Sequence, residues 1–356
     1  MERRRARAYG IAIGDIPTGH HNAITDVPGV RVGHATLREG DGPLRIGEGP
    51  IRTGVTAIVP PGEDWWSHPV EAAQFTWNGS GTTAGLSCID EYERIETPIC
   101  LTNTLSVGTV YEGIVRYMVE HVFKEKGNVP WFNPIVGETS DAFLNDIGGL
   151  HVRPEHAVEA IRSASGGPVE EGAVGGGLGM SCLGWKGGIG TSSRVVDVEG
   201  ETGIVGVLVQ SNFGGLLTID GVQMPDLSPE QEDAVDGSSI MMIVATDLPL
   251  SGHLLQRAAR RATFGLARTG SRGGHGSGDY VIALSTTYRN DDRAVLRDAF
   301  MRSRGLIDHV FPSVADATEE AILNSMFMAT RVVGRDGNTR EALPIGQVVK
   351  RLEARG

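Results

Sequence analysis

The chain has 356 residues, 40% of them hydrophobic, enough for one large core or two ordinary ones. Its net charge of −12 repels phosphate backbones, so nucleic acid is not an expected partner. Fifty glycines without a fixed period exclude collagen and solenoid architectures and point to many tight turns.

The one cationic run, Arg3 to Arg7, opens the chain. No apolar stretch of about 7–15 residues follows it, as a signal peptide requires. No segment approaches the roughly 18 apolar residues of a membrane span. The expectation is a soluble, cytoplasmic protein with no membrane partner. Cys88, Cys100 and Cys182 have no zinc-like spacing and read as free, buried thiols.

Residues 1–60 read as strands joined by Gly/Pro turns, with Thr53–Pro60 as one apolar run. Trp65-Trp66, in a polar stretch, suits either a substrate rim or an oligomer contact. Val110, Ile114, Met118 and Val122 predict an amphipathic helix over 109–126. A second helix is predicted over 154–164. The glycine-dense region 172–190 lacks the Gly-Lys-Ser/Thr of a phosphate loop and reads as turns near a cleft. Ile204–Val209 reads as a strand.

Residues 225–237 are acidic and proline-bearing, and read as an exposed connector. The unbroken apolar run Ile240–Ala245 follows and predicts a strand buried on both faces. A helix is predicted over 252–267, with Arg257, Arg260, Arg261 and Arg268 as a solvated face. A second buried strand fits Tyr280–Ser285, and helices fit 291–303, 313–331 and 345–354. Strands and helices mix without the regular alternation of a dinucleotide fold.

Asp236-Gly237-Ser238-Ser239 stands where the connector meets the buried strand. Gly237 lets the backbone bend there. A hydroxyl after such a turn suits an N→O acyl shift, in which Ser239 attacks the carbonyl of Ser238 and the ester is hydrolysed. The product carries a new α-amine at Ser239, of unperturbed pKa about 7.7–8.0. One residue then supplies both nucleophile and general base. The bland alternative is a plain turn before a strand.

Segments spread along the chain add to this: Asn22–Val30, Thr97–Thr104, Val136–Thr139, Phe143–Asp146, Gly175–Met180, Lys186–Thr191, Val209–Gly214 and Ala245–Asp247. Together, over about residues 10–350, the chain resembles the L-aminopeptidase/D-alanine esterase-amidase family, which includes the bacterial β-aminopeptidases. The resemblance implies an α/β (α+β) fold: a four-layer αββα sandwich similar to N-terminal-nucleophile hydrolases, with a connectivity shared with ornithine acetyltransferases. It implies one catalytic domain, self-cleaved into an α chain 1–238 and a β chain 239–356. These α/β pairs would assemble into a homo-oligomer, a tetramer of pairs among the options. No cofactor and no metal are implied.

Residue by residue, the resemblance makes Ser239 the nucleophile, followed by Ile240 to Val244 and then Ala245-Thr246-Asp247. Relatives carry glycine or asparagine before the cut; Ser238 stands here, which leaves a cut before Ser238 as an alternative. Ser277 and Asp279 match a downstream serine and acid, with aspartate where some relatives have glutamate. Asn212 matches an oxyanion-stabilising asparagine. Glu138 matches a carboxylate that holds the substrate's free amino group. Ser140 occupies the place of a tyrosine found in some relatives, and reaches less far. The implied activity is hydrolysis of amides or esters of small amino acids, or of amino-terminal residues of short peptides. Two other readings are an acyltransferase of the ornithine acetyltransferase type and an unprocessed binding protein.

Overall fold

The computed structural model describes residues 3–227, 238–287 and 294–354. Two large sheets form its centre. The first runs β1 (Arg31–Glu39), β2 (Ile51–Val59), β5 (Ile99–Asn103), β6 (Ile135–Thr139). The second takes β4 (Arg94–Ile95), β3 (Val70–Gly79), β10 (Gly278–Ser285), β9 (Ser239–Thr246), β8 (Glu201–Asn212) and β7 (Gly188–Val198), in that spatial order. Neighbours are antiparallel except β5 with β6 and β9 with β10.

The apolar run of β9 shows why the sheets stack. Side chains alternate across a strand. Met241, Ile243 and Ala245 pack toward the first sheet, with Ile58, Ile99 and Leu101. Ile240, Met242 and Val244 pack the other way, onto α4 (Gly252–Arg268) and α6 (Val310–Phe327) through Leu254, Ala258, Val314 and Ile322. The outer face of the first sheet, Val55, Ala57 and Val59, is covered by α2 (Val107–Met118) and α3 (Pro154–Arg162); the other α-helices among the described residues are α1 (Leu86–Tyr92), α5 (Ala294–Arg302) and α7 (Ile345–Glu353). The layers are therefore helix, sheet, sheet, helix, as expected.

Several sequence expectations need revision. The glycine region is not all turn, because β7 begins at Gly188. Gly190 is required there: a Cβ would lie 2.0 Å from the Ala321 carbonyl oxygen of α6, so the helix backbone rests directly on the strand. The 109–126 helix keeps its buried face but changes pitch, with a π turn at Val119–Phe123 and a 3-10 turn at Lys124–Lys126. On α4, Arg260 and Arg268 are exposed as a solvated face requires, while Arg257 and Arg261 are half-buried. Arg257 and Arg261 stand over the Phe311 ring, Arg260 stands over Phe75, and Arg268 pairs with Asp316 at 2.6 Å. Trp65 is core, while Trp66 lies against Phe123. Cys100 and Cys182 are buried free thiols and Cys88 is half-buried. Among the described residues no helix is long and apolar enough to cross a membrane.

The basic start of the chain is a clasp. Arg3 donates to the carbonyls of Met326 and Phe327, satisfying acceptors left open at the end of α6. Arg5 pairs with Glu171, and Arg7 with Glu320 at 2.8 Å. Glu320 also meets Arg194 at 2.8 Å, both fully buried. Glu320→Ala should cost about 3–5 kcal/mol, because it leaves the Arg194 guanidinium buried without its carboxylate. A lower urea midpoint checks this, and an unchanged one contradicts it.

Candidate active site

Three adjacent strands end together. Ser239 opens β9; it lies opposite Asn212, the last residue of β8, and opposite Gly278, the first of β10. Ser239 shares its strand face with Met241 and Ile243, so alternation turns it toward the gap between the sheets. Asn212 turns the same way and meets the end of the first sheet, where its Nδ2 donates to the Ser140 carbonyl at 2.9 Å. Its Oδ1 accepts from the Ser181 N–H at 2.8 Å, which fixes the amide's orientation. Ser140 thus contributes a backbone carbonyl here.

The bond between Ser238 and Ser239 is the centre of the cluster. The Ser239 hydroxyl donates to the Ser238 carbonyl oxygen at 2.7 Å. The Gly278 N–H donates to the same oxygen at 3.0 Å. The Ser277 hydroxyl donates to Asp279 Oδ1 at 2.7 Å and lies 3.3 Å from the Ser238 hydroxyl. Burial pushes the Asp279 carboxyl up to about 6, against the opposing pull of the Ser277 hydrogen bond. Gly237 lies outside the described residues, as does most of the connector. His275 is exposed.

Glu138 is buried at the end of β6. One carboxylate oxygen accepts from the Thr82 N–H at 2.8 Å and the other from the Thr104 hydroxyl. Burial raises its pKa, and these two donors hold it down. Gly81 ties this carboxylate to the serine cluster. A Cβ at Gly81 would lie 2.8 Å from Glu138 Oε1 and 3.5 Å from the Cα of Gly278. All the expected site residues within the described chain therefore gather at one edge of the intersheet gap: Ser238, Ser239, Asn212, Ser277, Asp279, Glu138 and Ser140.

Other participants escaped the sequence reading. Asn78 of β3 donates to the Ser277 carbonyl at 2.6 Å and to that of Gly274 at 2.9 Å, fixing the loop before β10. Asn78 lies opposite Asp279, beside a bulge where the register of β3 against β10 shifts between Asp279 and Tyr280. The Gly278 N–H, the Thr104 hydroxyl and Ser181 were also missed. Each is an ordinary turn or strand residue in its own segment.

The model of peptidase family S58 matches residues 22–340. The β-peptidyl aminopeptidase BapA of Sphingosinicella microcystinivorans is 41% identical over 96% of this chain and 89% of its own. Among solved structures, the PH0078 protein of Pyrococcus horikoshii OT3 is 44% identical over 99% of both chains, with a TM-score of 0.91. The L-aminopeptidase D-Ala-esterase/amidase of Ochrobactrum anthropi, described as a variant of the Ntn-hydrolase fold, is 36% identical over 98% of this chain and 97% of its own, with a TM-score of 0.86. The match along nearly the whole sequence and the near-complete superposition lead to one assignment: the chain belongs to peptidase family S58.

Proposed function

We propose that this hydrolase of the aminopeptidase class cuts its own backbone between Ser238 and Ser239 and then uses Ser239 as its nucleophile. The observation that carries the reading is the Ser239 hydroxyl held at the carbonyl it must attack, with the Gly278 N–H on the same oxygen. In the first step the Ser239 oxygen bonds to the Ser238 carbonyl carbon. The Gly278 N–H stabilises the charge that develops on oxygen. The C–N bond then breaks, the nitrogen takes up a proton, and an ester remains. Water hydrolyses that ester, leaving residues 1–238 and 239–356. Ser277, polarised by Asp279, assists removal of the hydroxyl proton.

In turnover the freed α-amine of Ser239 takes over as base. Ser239 attacks an amide or ester carbonyl, Asn212 supplies a donor to the oxyanion, and water releases the acyl group. Glu138 receives the substrate's ammonium group, since each of its oxygens keeps a second lone pair beyond Thr82 and Thr104. Small amino-acid amides or esters and short peptides with a free amino terminus fit this arrangement. The relatives' names, β-peptidyl aminopeptidase and L-aminopeptidase D-Ala-esterase/amidase, support the same class.

Glu138→Gln should lower kcat/KM for substrates with a free amine by about 10²-fold, as loss of a buried charge pair does. Acetylated analogues should be little affected. Equal losses on both would remove Glu138 from amine binding.

The two stages should separate by pH. Processing needs ionised Asp279, so its rate should rise through pH 6 and level off above. Turnover needs a neutral α-amine and should rise nearer pH 8, the approximate ordinary range of that group. Asp279→Asn should abolish the lower limb in a time course of chain cleavage. A processing rate flat from pH 5 to 8 would contradict the role of Asp279.

A further inference from the structure

Tyr280 takes no part in the chemistry above, yet its hydroxyl reaches the amine-binding carboxylate through a single peptide group. It follows Asp279 on β10, lies opposite Met241 of β9, and is only 6% exposed. Its hydroxyl donates to the Gly81 carbonyl at 2.8 Å. The N–H of the next residue, Thr82, donates to Glu138 Oε1 at 2.8 Å. That carbonyl and that N–H belong to one planar trans unit, in which they point in opposite directions. Holding the oxygen end therefore aims the N–H end.

We propose that Tyr280 is a positioning residue for amine recognition: by gripping the Gly81–Thr82 peptide group it sets the place and the charge of Glu138 relative to Ser239. This rests on the assignment of Glu138 as the amine receptor.

The surroundings leave the peptide little room. A methyl at Gly81 would lie 2.8 Å from Glu138 Oε1, 3.4 Å from the Tyr280 ring and 3.5 Å from the Gly278 Cα. Yet Gly81 and Thr82 are themselves exposed, so packing from outside does not fix the loop. The Tyr280 hydrogen bond reaches it from the core side. Burial raises the phenol's pKa, and the nearby Glu138 and Asp279 raise it further, so the hydroxyl remains a donor at working pH. The Thr82 N–H in turn helps keep a desolvated carboxylate ionised. A loosened loop would weaken the charge that receives an ammonium group, while the contacts recorded at the Ser238 carbonyl stay in place.

The test compares the p-nitrophenyl esters of alanine and of propionate, which differ in the amine. In Tyr280→Phe, self-cleavage should go to completion. KM for the alanine ester should rise about 3–10-fold, the effect of one lost neutral hydrogen bond, with kcat little changed. The propionate ester should be turned over as before. Gly81→Ala, which pushes on the same carboxylate, should show the same split. Equal losses on both esters in Tyr280→Phe would make Tyr280 merely structural and overturn the proposal. Glu138→Gln separates the two levels. If it weakens both esters alike, the receptor assignment itself fails. If it weakens only the alanine ester while Tyr280→Phe and Gly81→Ala leave both esters unchanged, the clamp alone fails.

Discussion

Ser239→Ala is expected to yield a single full-length chain with turnover reduced by at least about 10⁴-fold, the scale on which loss of a nucleophile acts. Two functions vanish together, because one hydroxyl serves both. Without it nothing attacks the Ser238 carbonyl, so the chain stays whole. Without the cut no α-amine forms, so no base exists for turnover. The fold itself should survive: Ser239 is one small residue at the end of a strand whose stability comes from Ile240 to Ala245 and their packing on two faces. Ser238→Ala is the informative contrast. Ser238 presents the carbonyl that is attacked, which the substitution keeps, and it loses only the 3.3 Å contact of its hydroxyl with Ser277, so cleavage should proceed. Electrophoresis under denaturing conditions reads both variants. A Ser239→Ala chain that still divides would shift the nucleophile to Ser238.

Asn212→Asp should lower kcat by about 10²–10³-fold, the usual cost of an oxyanion donor. The substitution is chosen for its geometry. A carboxylate of the same shape still accepts the Ser181 N–H at Oδ1, while its second oxygen, in place of Nδ2, faces the Ser140 carbonyl with no hydrogen to donate. It loses the NH₂ donors and sets a negative charge beside a developing one. Self-cleavage should suffer less, since the Gly278 N–H already lies on the oxygen of the Ser238 carbonyl. Single-turnover assays on preformed two-chain enzyme separate the effects. An unchanged kcat would exclude Asn212 from the oxyanion site.

What could be read in advance depended on how local each signal was. Ile240–Ala245 announces a strand covered on both faces because six consecutive apolar residues, β-branched among them and preceded by a Gly-Ser turn, are too short for a buried helix and suit a buried strand. The spacing Val110, Ile114, Met118, Val122 likewise fixes a buried helical face, even where the helix changes pitch. β7 was obscured because Gly188, Gly190 and Ser192 resemble turn residues, and their reason lies in the close approach of α6. The site divides in the same way. Ser239 stands where an exposed connector meets an apolar strand, a local signal, whereas Ser277, Asp279, Asn212 and Glu138 are legible only through the family resemblance. Asn78 and Gly81 lie about 200 residues from the serine loop they hold, and they meet it only because β3 pairs with β10. Thr104 and Tyr280 matter through single hydrogen bonds that no periodicity encodes.

The most direct measurement is the intact mass of the purified protein under denaturing conditions, joined to amino-terminal sequencing. The account predicts two polypeptides, residues 1–238 and 239–356, with serine followed by Ile240-Met241-Met242 at the second amino terminus. A fully active preparation consisting of one unbroken 356-residue chain would contradict it.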